Sequence, residues 1–458
     1  LINSFGVLNG NGISFNSEAE QILNSDSESP DFLNLFDSVF DLDSYIDYFI
    51  FETYTQNSDW MGIFWGANNI KLFRSDEMDG KWRYAMYDMD ASYGYFGAGI
   101  SDNYINYARN PSYPSYHSMI FDHALENDNF KCLFVNRYAD LLNTNFRQDY
   151  FNNIVDSMST LLASTMSLNI QRWGQVESYS DWLSTVQQIK FYNYNRLNPA
   201  RNNVVNSFNL SGTVDLIINV FPIGAGKVKI SSIIPENLPW TGEYFKGCPV
   251  QIEAIPNDGF GFVEWQYNSH INQGTMGANS QTVNLELLFD DEFNAIFQPC
   301  ISSILVAIQD VGGVFIPVIN EPFIVSSYEW YFNGTLAGNG AFYTPLLTGE
   351  YQLSVEINGC QFQSEILYYD ANEIATLNFN SVSISPNPAS EYIVVTKHQD
   401  VKLSLSIVDI HGRLTHISNQ HLDYIDNRLD ISNLSSGIYG VILKSDNGRI
   451  NYQRFIKE

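Results

Sequence analysis

Apolar positions follow two different periodicities along the chain, and the change from one to the other falls near residue 210. Before that point they recur at helical spacing, which predicts helices within 121–146, 150–166 and 173–201. The clearest stripe follows the i, i+3, i+4, i+7, i+8 pattern behind Asp43, a predicted N-cap, and consists of Ile46, Phe49, Ile50, Thr53 and Tyr54. The first part of the chain is therefore predicted to be mostly helical.

After residue 210, short alternating segments separated by Gly-, Pro- and Asn-containing turns take over. The predicted strands of the first such stretch are 214–220, 227–233, 250–255, 261–265 and 282–288. The fold class that follows is a multidomain protein: a mostly helical α+β region, then three small all-β, sandwich-like domains. The predicted boundaries are 1–209, 210–299, 300–370, a linker at 371–382, and 383–458.

Composition narrows the possible partners. The 458 residues include 51 acids and only 23 bases, for a formal charge of −28, and no basic stripe is visible. A nucleic-acid partner is therefore not expected, and anionic lipid surfaces are disfavoured for the same reason. No apolar run approaches the roughly 18 residues that a membrane span needs, so no transmembrane segment is predicted. The chain starts at Leu1 without Met or a signal peptide, which suggests a fragment whose N-terminal region is missing.

Four cysteines occur, and they form no CxxC or Cys/His cluster, so a zinc site is not expected. Cys300 and Cys360 stand near the two ends of a β-rich segment. That spacing suits a single disulfide in an oxidising compartment. Two buried free thiols are an equally consistent interpretation at this stage.

One region between residues 56 and 90 combines residues that can carry chemistry. A predicted helix ends in a loop that holds Asp59 and closes on two amides, Asn68 and Asn69. A predicted hairpin follows, and its second strand runs into Asp88 and Asp90. Such a hairpin would bring the acid of the loop, the amides and the acids at the strand end close together. Phosphoryl transfer uses this set: one Asp orients the attacking hydroxyl, while an Asn and another Asp hold magnesium through oxygen.

The same stretch resembles the CotH kinase family over about 31–201. The blocks that carry the resemblance are Asp59-Trp60, Asn68-Asn69-Ile70-Lys71, Gly80-Lys81-Trp82-Arg83-Tyr84, Asp88-Met89-Asp90, Tyr93-Gly94 and, downstream, Arg137-Tyr138-Ala139-Asp140-Leu141. The resemblance implies the C-lobe of a kinase that uses ATP and Mg²⁺ to modify a protein hydroxyl. Asp59 would be the catalytic residue, Asn69 or Asn68 would bind the cofactor and its metal, and Asp88, with Asp90 as a second candidate, would bind magnesium.

Two departures from the family accompany this match. The link at 61–67 is longer than usual, which puts the fit of the Asn to a metal in question. A kinase also needs a loop that covers the phosphates and a Lys that holds ATP, and the sequence shows neither, so a fragment lacking this N-lobe is expected to be inactive. Taken singly, Asp59 and the two Asn read as turn residues, and Asp88 and Asp90 as a solvated strand end.

The β-rich stretches carry resemblances of their own. Residues 214–297 resemble the divergent B-repeat of bacterial surface proteins, and 300–369 resemble an immunoglobulin-like module with Trp330 as its core tryptophan. Residues 383–458 resemble the type A sorting domain of type IX secretion through Ile384-Ser385-Pro386-Asn387-Pro388, Ile407-Val408-Asp409-Ile410-His411-Gly412 and Leu429-Asp430-Ile431-Ser432. This last resemblance implies export to the surface of a Bacteroidetes-type bacterium, with the secretion machinery as a partner.

These observations leave three functional hypotheses. The first is an exported CotH-like kinase acting on an unknown protein substrate with ATP and magnesium. The second is a non-catalytic surface or adhesion protein built on a kinase-like scaffold. The third, a hydrolase using Asp88 and Asp90 as paired carboxylates, ranks last, because acids two residues apart on one strand need not straddle a substrate bond.

Overall fold

The computed structural model describes residues 2–3, 6–7, 13–75, 77–267, 280–301, 303–311, 313–320, 323–371, 382–397, 403–409, 414–418, 427–445 and 450–458. The chain divides into two compact units, 1–255 with 264–296 and 256–263 with 297–458. The predicted linker at 371–382 lies almost wholly outside the described residues. The division into separate domains at 209/210 and 299/300 stays a prediction.

Helices dominate the first two hundred residues, as the periodicity predicted. They are α1 (Ile13–Leu23), α2 (Phe32–Val39), α3 (Leu42–Thr55), α4 (Tyr104–Arg109), α5 (Tyr116–Glu126), α6 (Asp128–Asn143), α7 (Gln148–Trp173) and α8 (Tyr179–Phe208). No helix within the described ranges is long and apolar enough to cross a bilayer.

Several helix boundaries differ from the prediction. α7 continues to Trp173, past the predicted end at 166, and α8 continues to Phe208, past 201. The N-cap of α3 is Asp41 rather than Asp43: the Asp41 carboxylate accepts a hydrogen bond from the Ser44 N–H at 2.9 Å, and Asp43 lies in the first turn. The cap falls earlier because Asp41 is still extended and follows a bridge between Phe40 and Trp82. The apolar stretch 121–146 is split at Asn127, whose side chain caps α6 by accepting from Phe130 N–H at 2.9 Å.

The predicted hairpin is present. Strands β1 (Ile2–Asn3), β2 (Gly6–Val7), β3 (Lys71–Phe73) and β4 (Arg83–Ala85) form one sheet in the order β2-β1-β3-β4. β3 and β4 pair antiparallel with Leu72 opposite Tyr84. Both of these side chains are buried, so the hairpin is fixed to the helices by its inner face.

Alternating strands follow α8, at nearly the predicted places. They are β5 (Thr213–Phe221), β6 (Gly226–Ile230), β7 (Trp240–Phe245), β8 (Val250–Pro256), β9 (Phe260–Gln266), β10 (Thr282–Leu285) and β11 (Asp291–Pro299). They form two sheets, β10-β8-β6 and β7-β5-β11-β9. The sequence patterns did not predict β7 or β11.

The contact between α6 and β7 is the main tie between the helices and these sheets, inside one compact unit. Asp140 of α6 is fully buried, and its carboxylate accepts hydrogen bonds from the backbone N–H and hydroxyl of Ser232 and from the hydroxyl of Tyr244, at 2.6 to 3.0 Å. A disulfide joins Cys132 to Cys248 across 116 residues of sequence. The sequence spacing suggested only one disulfide, so this second bond is a finding of the structure.

In the second unit, two groups of strands follow. The first comprises β12 (Val306–Asp310), β13 (Phe315–Ile319), β14 (Ser327–Phe332), β15 (Thr335–Asn339), β16 (Gly349–Ile357), β17 (Cys360–Gln363) and β18 (Leu367–Tyr369). Trp330 is its central tryptophan, as predicted: it is fully buried, among Phe315, Tyr343 and Tyr351. Cys300 and Cys360 form the disulfide that the spacing suited.

The last group comprises β19 (Val382–Ser385), β20 (Tyr392–Lys397), β21 (Leu403–Asp409), β22 (Leu414–Ser418), β23 (Asn427–Asp430), β24 (Gly437–Ser445) and β25 (Ile450–Lys457). Its sheets are β19-β20-β23 and β22-β21-β24-β25, and side chains from both, such as Ile393 and Val441, share one core. The Asp430 carboxylate accepts the Ser432 N–H at 2.8 Å, so this acid forms a turn. The motif residues 410–412 of the sorting-domain resemblance lie outside the described residues.

Candidate functional site

The end of α3 delivers the chain into a segment that is buried almost without interruption. From Glu52 to Ile63 every residue is buried except Asp59, which is partly exposed. The buried polar residues of this run are Glu52, Thr53, Thr55, Gln56, Asn57 and Ser58. Polar groups are buried only where hydrogen bonds compensate them, so specific contacts hold this segment in place. The carboxylate that it presents to solvent is that of Asp59.

Two long side chains anchor the end of α3. Arg196 of α8 is only 1% exposed, and its guanidinium donates to the backbone carbonyl of Tyr54 at 3.1 Å and to that of Ile100 at 2.6 Å. A cation is favourable at this place because the last carbonyls of a helix lack partners and carry partial negative charge. Gln56, in the left-handed conformation at the C-cap, donates to the carbonyl of Asp102 at 2.8 Å. Residues far away in sequence thus fix where the Asp59 loop begins.

The structure brings Asp59, Asn68 and Asn69 together. The Nδ2 group of Asn68 donates to Oδ1 of Asp59 at 2.9 Å, and that of Asn69 donates to Oδ2 at 3.1 Å and to the Asp59 carbonyl at 3.0 Å. The carboxylate is therefore held from both sides. Among the described residues, nothing donates to the Oδ1 oxygen of either amide, so both oxygens are free to accept or to coordinate.

The turn that carries Asp88 and Asp90 lies against the start of the Asp59 loop. The N–H of Ser58 donates to the carbonyl of Ala91 at 3.0 Å, and the N–H of Tyr93 donates to the carbonyl of Thr55 at 2.8 Å. Asp88 adopts the left-handed conformation, with φ 54°, just before a short 3₁₀ turn. Both carboxylates are exposed, and neither makes a hydrogen bond or ion pair within the part of the chain that the structure describes.

None of the basic side chains of the hairpin pairs with these two acids in the part of the chain that the structure describes. The Lys71 ammonium lies over the ring of Tyr87, 2.9 Å from its centroid, whereas Arg74, Lys81 and Arg83 pair with other acids. Their ion pairs are Lys81–Asp37 (2.7 Å), Arg83–Asp41 (2.5 Å), Arg83–Asp79 (2.6 Å) and Arg74–Glu18 (2.9 Å). Asp88 and Asp90 therefore present negative charge that a cation from outside the chain can meet.

The long link at 61–67 has a buried base and an exposed tip. Met61 and Ile63 are buried, whereas Phe64 and Trp65 are nearly half exposed. The Trp65 ring contacts that of Phe96, from the loop after Asp90, edge to face at 5.7 Å. The extra residues thus form an aromatic surface and leave both amides in contact with Asp59, while the fit of the Asn to a metal stays a prediction.

Two further residues of the site were not singled out from the sequence. The Oε2 atom of Glu52 accepts a hydrogen bond from Nδ2 of Asn57 at 3.0 Å, and Oδ1 of Asn57 accepts the backbone N–H of Asp59 at 3.2 Å. Burial raises the pKa of Glu52 to about 8, against the weaker opposite effects of Asn57 and Tyr48. An acid among the apolar residues of a helix was the only available signal, and it does not identify a partner.

The donors at this site are all oxygens, which suits magnesium. They are the carboxylates of Asp88 and Asp90 and the side-chain oxygens of Asn68 and Asn69, the residue types that Mg²⁺ takes in proteins. In the described ranges, no three His, Cys, Asp or Glu side chains are grouped as they would be in an all-protein metal cage. Magnesium commonly keeps several waters and binds through one or two carboxylates together with substrate phosphates, so these residues fit a nucleotide-bound ion better than a resident one.

Comparison with known proteins identifies two regions. Residues 15–198 match the family model "CotH kinase protein", and residues 383–458 match "Secretion system C-terminal sorting domain". No curated protein matches the chain.

The similar solved structures share little with this chain. They include the BSP domain of a biofilm associated protein (12% identity, 33% of this chain and 29% of that chain, TM-score 0.15) and Tp47 of Treponema pallidum (10%, 37% and 56%, 0.15). Another is the Bacteroides ovatus SGBP-B in complex with mixed-linkage heptasaccharide (11%, 54% and 67%, 0.14). At these scores the likenesses carry no argument.

The family matches confirm two of the four resemblances seen in the sequence, those to the CotH kinase family and to the sorting domain, and the resemblances of 214–297 and 300–369 stay predictions. A sorting domain of this kind marks a secreted or cell-surface protein and implies that the chain engages the secretion machinery. Residues 15–198 thus match the CotH kinase family model, and they belong to a secreted or cell-surface protein whose residues 383–458 match a secretion-system C-terminal sorting domain.

Proposed function

We propose that this protein is an exported protein kinase that transfers phosphate from ATP to a protein hydroxyl. The observation that carries the proposal is the presentation of Asp59. It is the one residue of an otherwise buried run that reaches solvent, and two amides hold its carboxylate in place. A fixed carboxylate of this kind can orient an acceptor hydroxyl and receive its proton.

The other roles follow from position and charge. Asp88 and Asp90, which have no hydrogen-bond or ion-pair partner among the residues described, would hold the magnesium ion of an ATP complex together with the oxygen of Asn69 or Asn68. Bound magnesium would neutralise charge on the phosphates. The acceptor hydroxyl and the metal would then lie at adjacent segments, because the Asp59 loop and the Asp88–Asp90 turn are joined by backbone hydrogen bonds.

The test is phosphate transfer from labelled ATP in the presence of magnesium, by the protein expressed from its whole gene. We expect Asp88→Ala to reduce transfer about 10²- to 10⁴-fold. Asp181→Ala, which removes an exposed carboxylate from α8, is the matched control and should transfer as the wild type does. Equal labelling by the wild type and Asp88→Ala would contradict the proposal.

A second candidate function is a non-catalytic surface protein that uses the kinase-like scaffold to bind a partner. One observation favours it: an apolar cleft of about 1010 Å³ between α3, α7 and α8, lined by residues such as Tyr48, Phe151 and Trp182. Clefts of this size commonly take ligands. This alternative predicts no affinity for ATP, and a magnesium-dependent rise in thermal stability with ATP would count against it.

A further inference from the structure

Glu52 is a carboxylic acid enclosed in the core, in the last turn of α3. Its side chain is fully buried, and its Oε1 atom has no hydrogen-bond partner among the described residues. An unpaired polar atom in the core costs about 1–3 kcal/mol, and a leucine would fill the same place without that cost. A buried acid that destabilises the fold and lies next to a candidate site is a candidate for a function in that site, and Glu52 lies next to the Asp59 loop.

Asn57 connects Glu52 to both halves of the site. Its Nδ2 group donates to Oε2 of Glu52 at 3.0 Å and lies 3.5 Å from the sulfur of Met89, the residue between Asp88 and Asp90. Its Oδ1 atom accepts the backbone N–H of Asp59 at 3.2 Å. One amide therefore contacts the helix, the loop that presents Asp59 and the turn that carries the predicted metal ligands. Glu52 is what fixes the orientation of that amide.

A second contact supports the same loop from one turn earlier in α3. The hydroxyl of Tyr48 accepts a hydrogen bond from the indole N–H of Trp60, the residue after Asp59, at 2.8 Å. Tyr48 also acts on Glu52, because its hydroxyl, like Asn57, opposes the rise in the pKa of that carboxyl. Asp59 is thus held on both sides in the sequence, through Asn57 before it and Trp60 after it, and both contacts originate from the buried face of α3.

We propose that Glu52 is a positioning residue for the phosphoryl-transfer site, acting through Asn57 to set the conformation of the loop that presents Asp59. The proposal rests on the kinase function proposed above, in that the loop is the one that meets the acceptor hydroxyl. A displacement of about 1 Å at a catalytic group can lower the rate about 100-fold. The buried hydrogen bonds that link Glu52 to Asn57 and Asn57 to Asp59 are therefore close enough to affect the rate of phosphate transfer.

The experiment compares Glu52→Leu and Glu52→Gln in the full chain with two measurements, steady-state phosphate transfer and hydrogen exchange of the backbone amides of Ser58 and Asp59. We expect Glu52→Leu to lower kcat about 10- to 100-fold, with KM for ATP within about threefold, because the loop acts on the acceptor rather than on the nucleotide. The Asp59 amide should exchange faster by about tenfold or more. Glu52→Gln, which keeps an oxygen for Asn57, should restore both quantities to within about threefold of the wild type.

Thr53→Val is the matched control, since it removes another buried polar group from the same helical turn. Its hydroxyl donates to the carbonyl of Phe49 at 2.7 Å and does not contact Asn57. The proposal is overturned if Glu52→Leu and Thr53→Val have the same kcat and the same Asp59 exchange rate. If the wild type transfers no phosphate, the kinase function fails, and the exchange rates alone decide whether Glu52 holds the loop.

Discussion

Asp59 and Asp88 lie on two segments whose backbones are hydrogen-bonded to each other, yet their carboxylates have opposite surroundings. Asp59 is partly buried and accepts two amide hydrogen bonds at 2.9 and 3.1 Å. Asp88 is exposed, in a left-handed conformation, and has no partner in the part of the chain described here. The protein itself holds the carboxylate of Asp59 in place, whereas the carboxylate of Asp88 is available to bind a cation. The two acids should therefore respond differently to substitution.

The largest effects expected are on phosphate transfer, where Asp59→Ala and Asp88→Ala should each cost about 10²- to 10⁴-fold. Their effects on the free energy of unfolding should differ. Asp88→Ala should change it by no more than about 0.5 kcal/mol, because that carboxylate is exposed and makes no hydrogen bond or ion pair with any described residue. Asp59→Ala should lower it by about 1–3 kcal/mol, because two half-buried amides lose their acceptor. Denaturant unfolding of both variants checks this, and equal stability losses would remove the contrast.

The next test compares the buried base of the Asp59 loop with its exposed tip. Trp60 is 1% exposed and packs against Tyr48 and Phe49, whereas Trp65 is 47% exposed. Trp60→Ala should lower the free energy of unfolding by about 3–5 kcal/mol. Trp65→Ala, an identical substitution five residues away, should cost less than about 1 kcal/mol. Similar losses for the two variants would show that the tip is packed rather than presented.

A perturbation away from both acids tests whether loss of stability alone can mimic loss of the site. Replacing Cys132 and Cys248 together by Ser should lower the free energy of unfolding by about 2–5 kcal/mol. At a temperature where the variant stays folded, its phosphate transfer should match that of the wild type. A transfer rate as low as that of Asp88→Ala would show that the disulfide between Cys132 and Cys248 supports the site as well as the fold.

The last test is a pH dependence of stability that involves the Asp59 loop and not the Asp88 turn. Burial raises the pKa of Glu52 from 4.5 to about 8, so the native state keeps a proton that the unfolded chain releases in this range. The contribution of Glu52 to stability is therefore fully present below about pH 4.5 and is lost as the pH rises toward 8, by up to about 1.4 kcal/mol per unit. Glu52→Gln should remove this slope. Unfolding curves at several pH values check it, and parallel profiles for variant and wild type would contradict it.

The sequence by itself determined the order of the chemical groups and the identity of the terminal domain. Asp59, the Asn68-Asn69 pair, the hairpin and Asp88 are local motifs, separated by short turns, and the strands that join them need only neighbouring residues to form. Residues 383–458 were recognisable for the same reason, because their motif blocks are contiguous stretches of sequence. The N-cap of α3 was predicted at Asp43, two residues later than its position at Asp41, which shows how far such local signals define a helix boundary.

The tertiary structure alone decided what holds these groups in place. Arg196 reaches a carbonyl 142 residues away, Asp140 accepts from a serine 92 residues away, and Cys132 bonds a cysteine 116 residues away. Their partners are chosen by how whole helices and sheets pack, and no periodicity in the sequence encodes that choice. The burial of Glu52 is of the same kind, because an acid on a helix is solvated or enclosed according to what packs over it. Only the packed fold makes Asp59 the exposed member of a buried run.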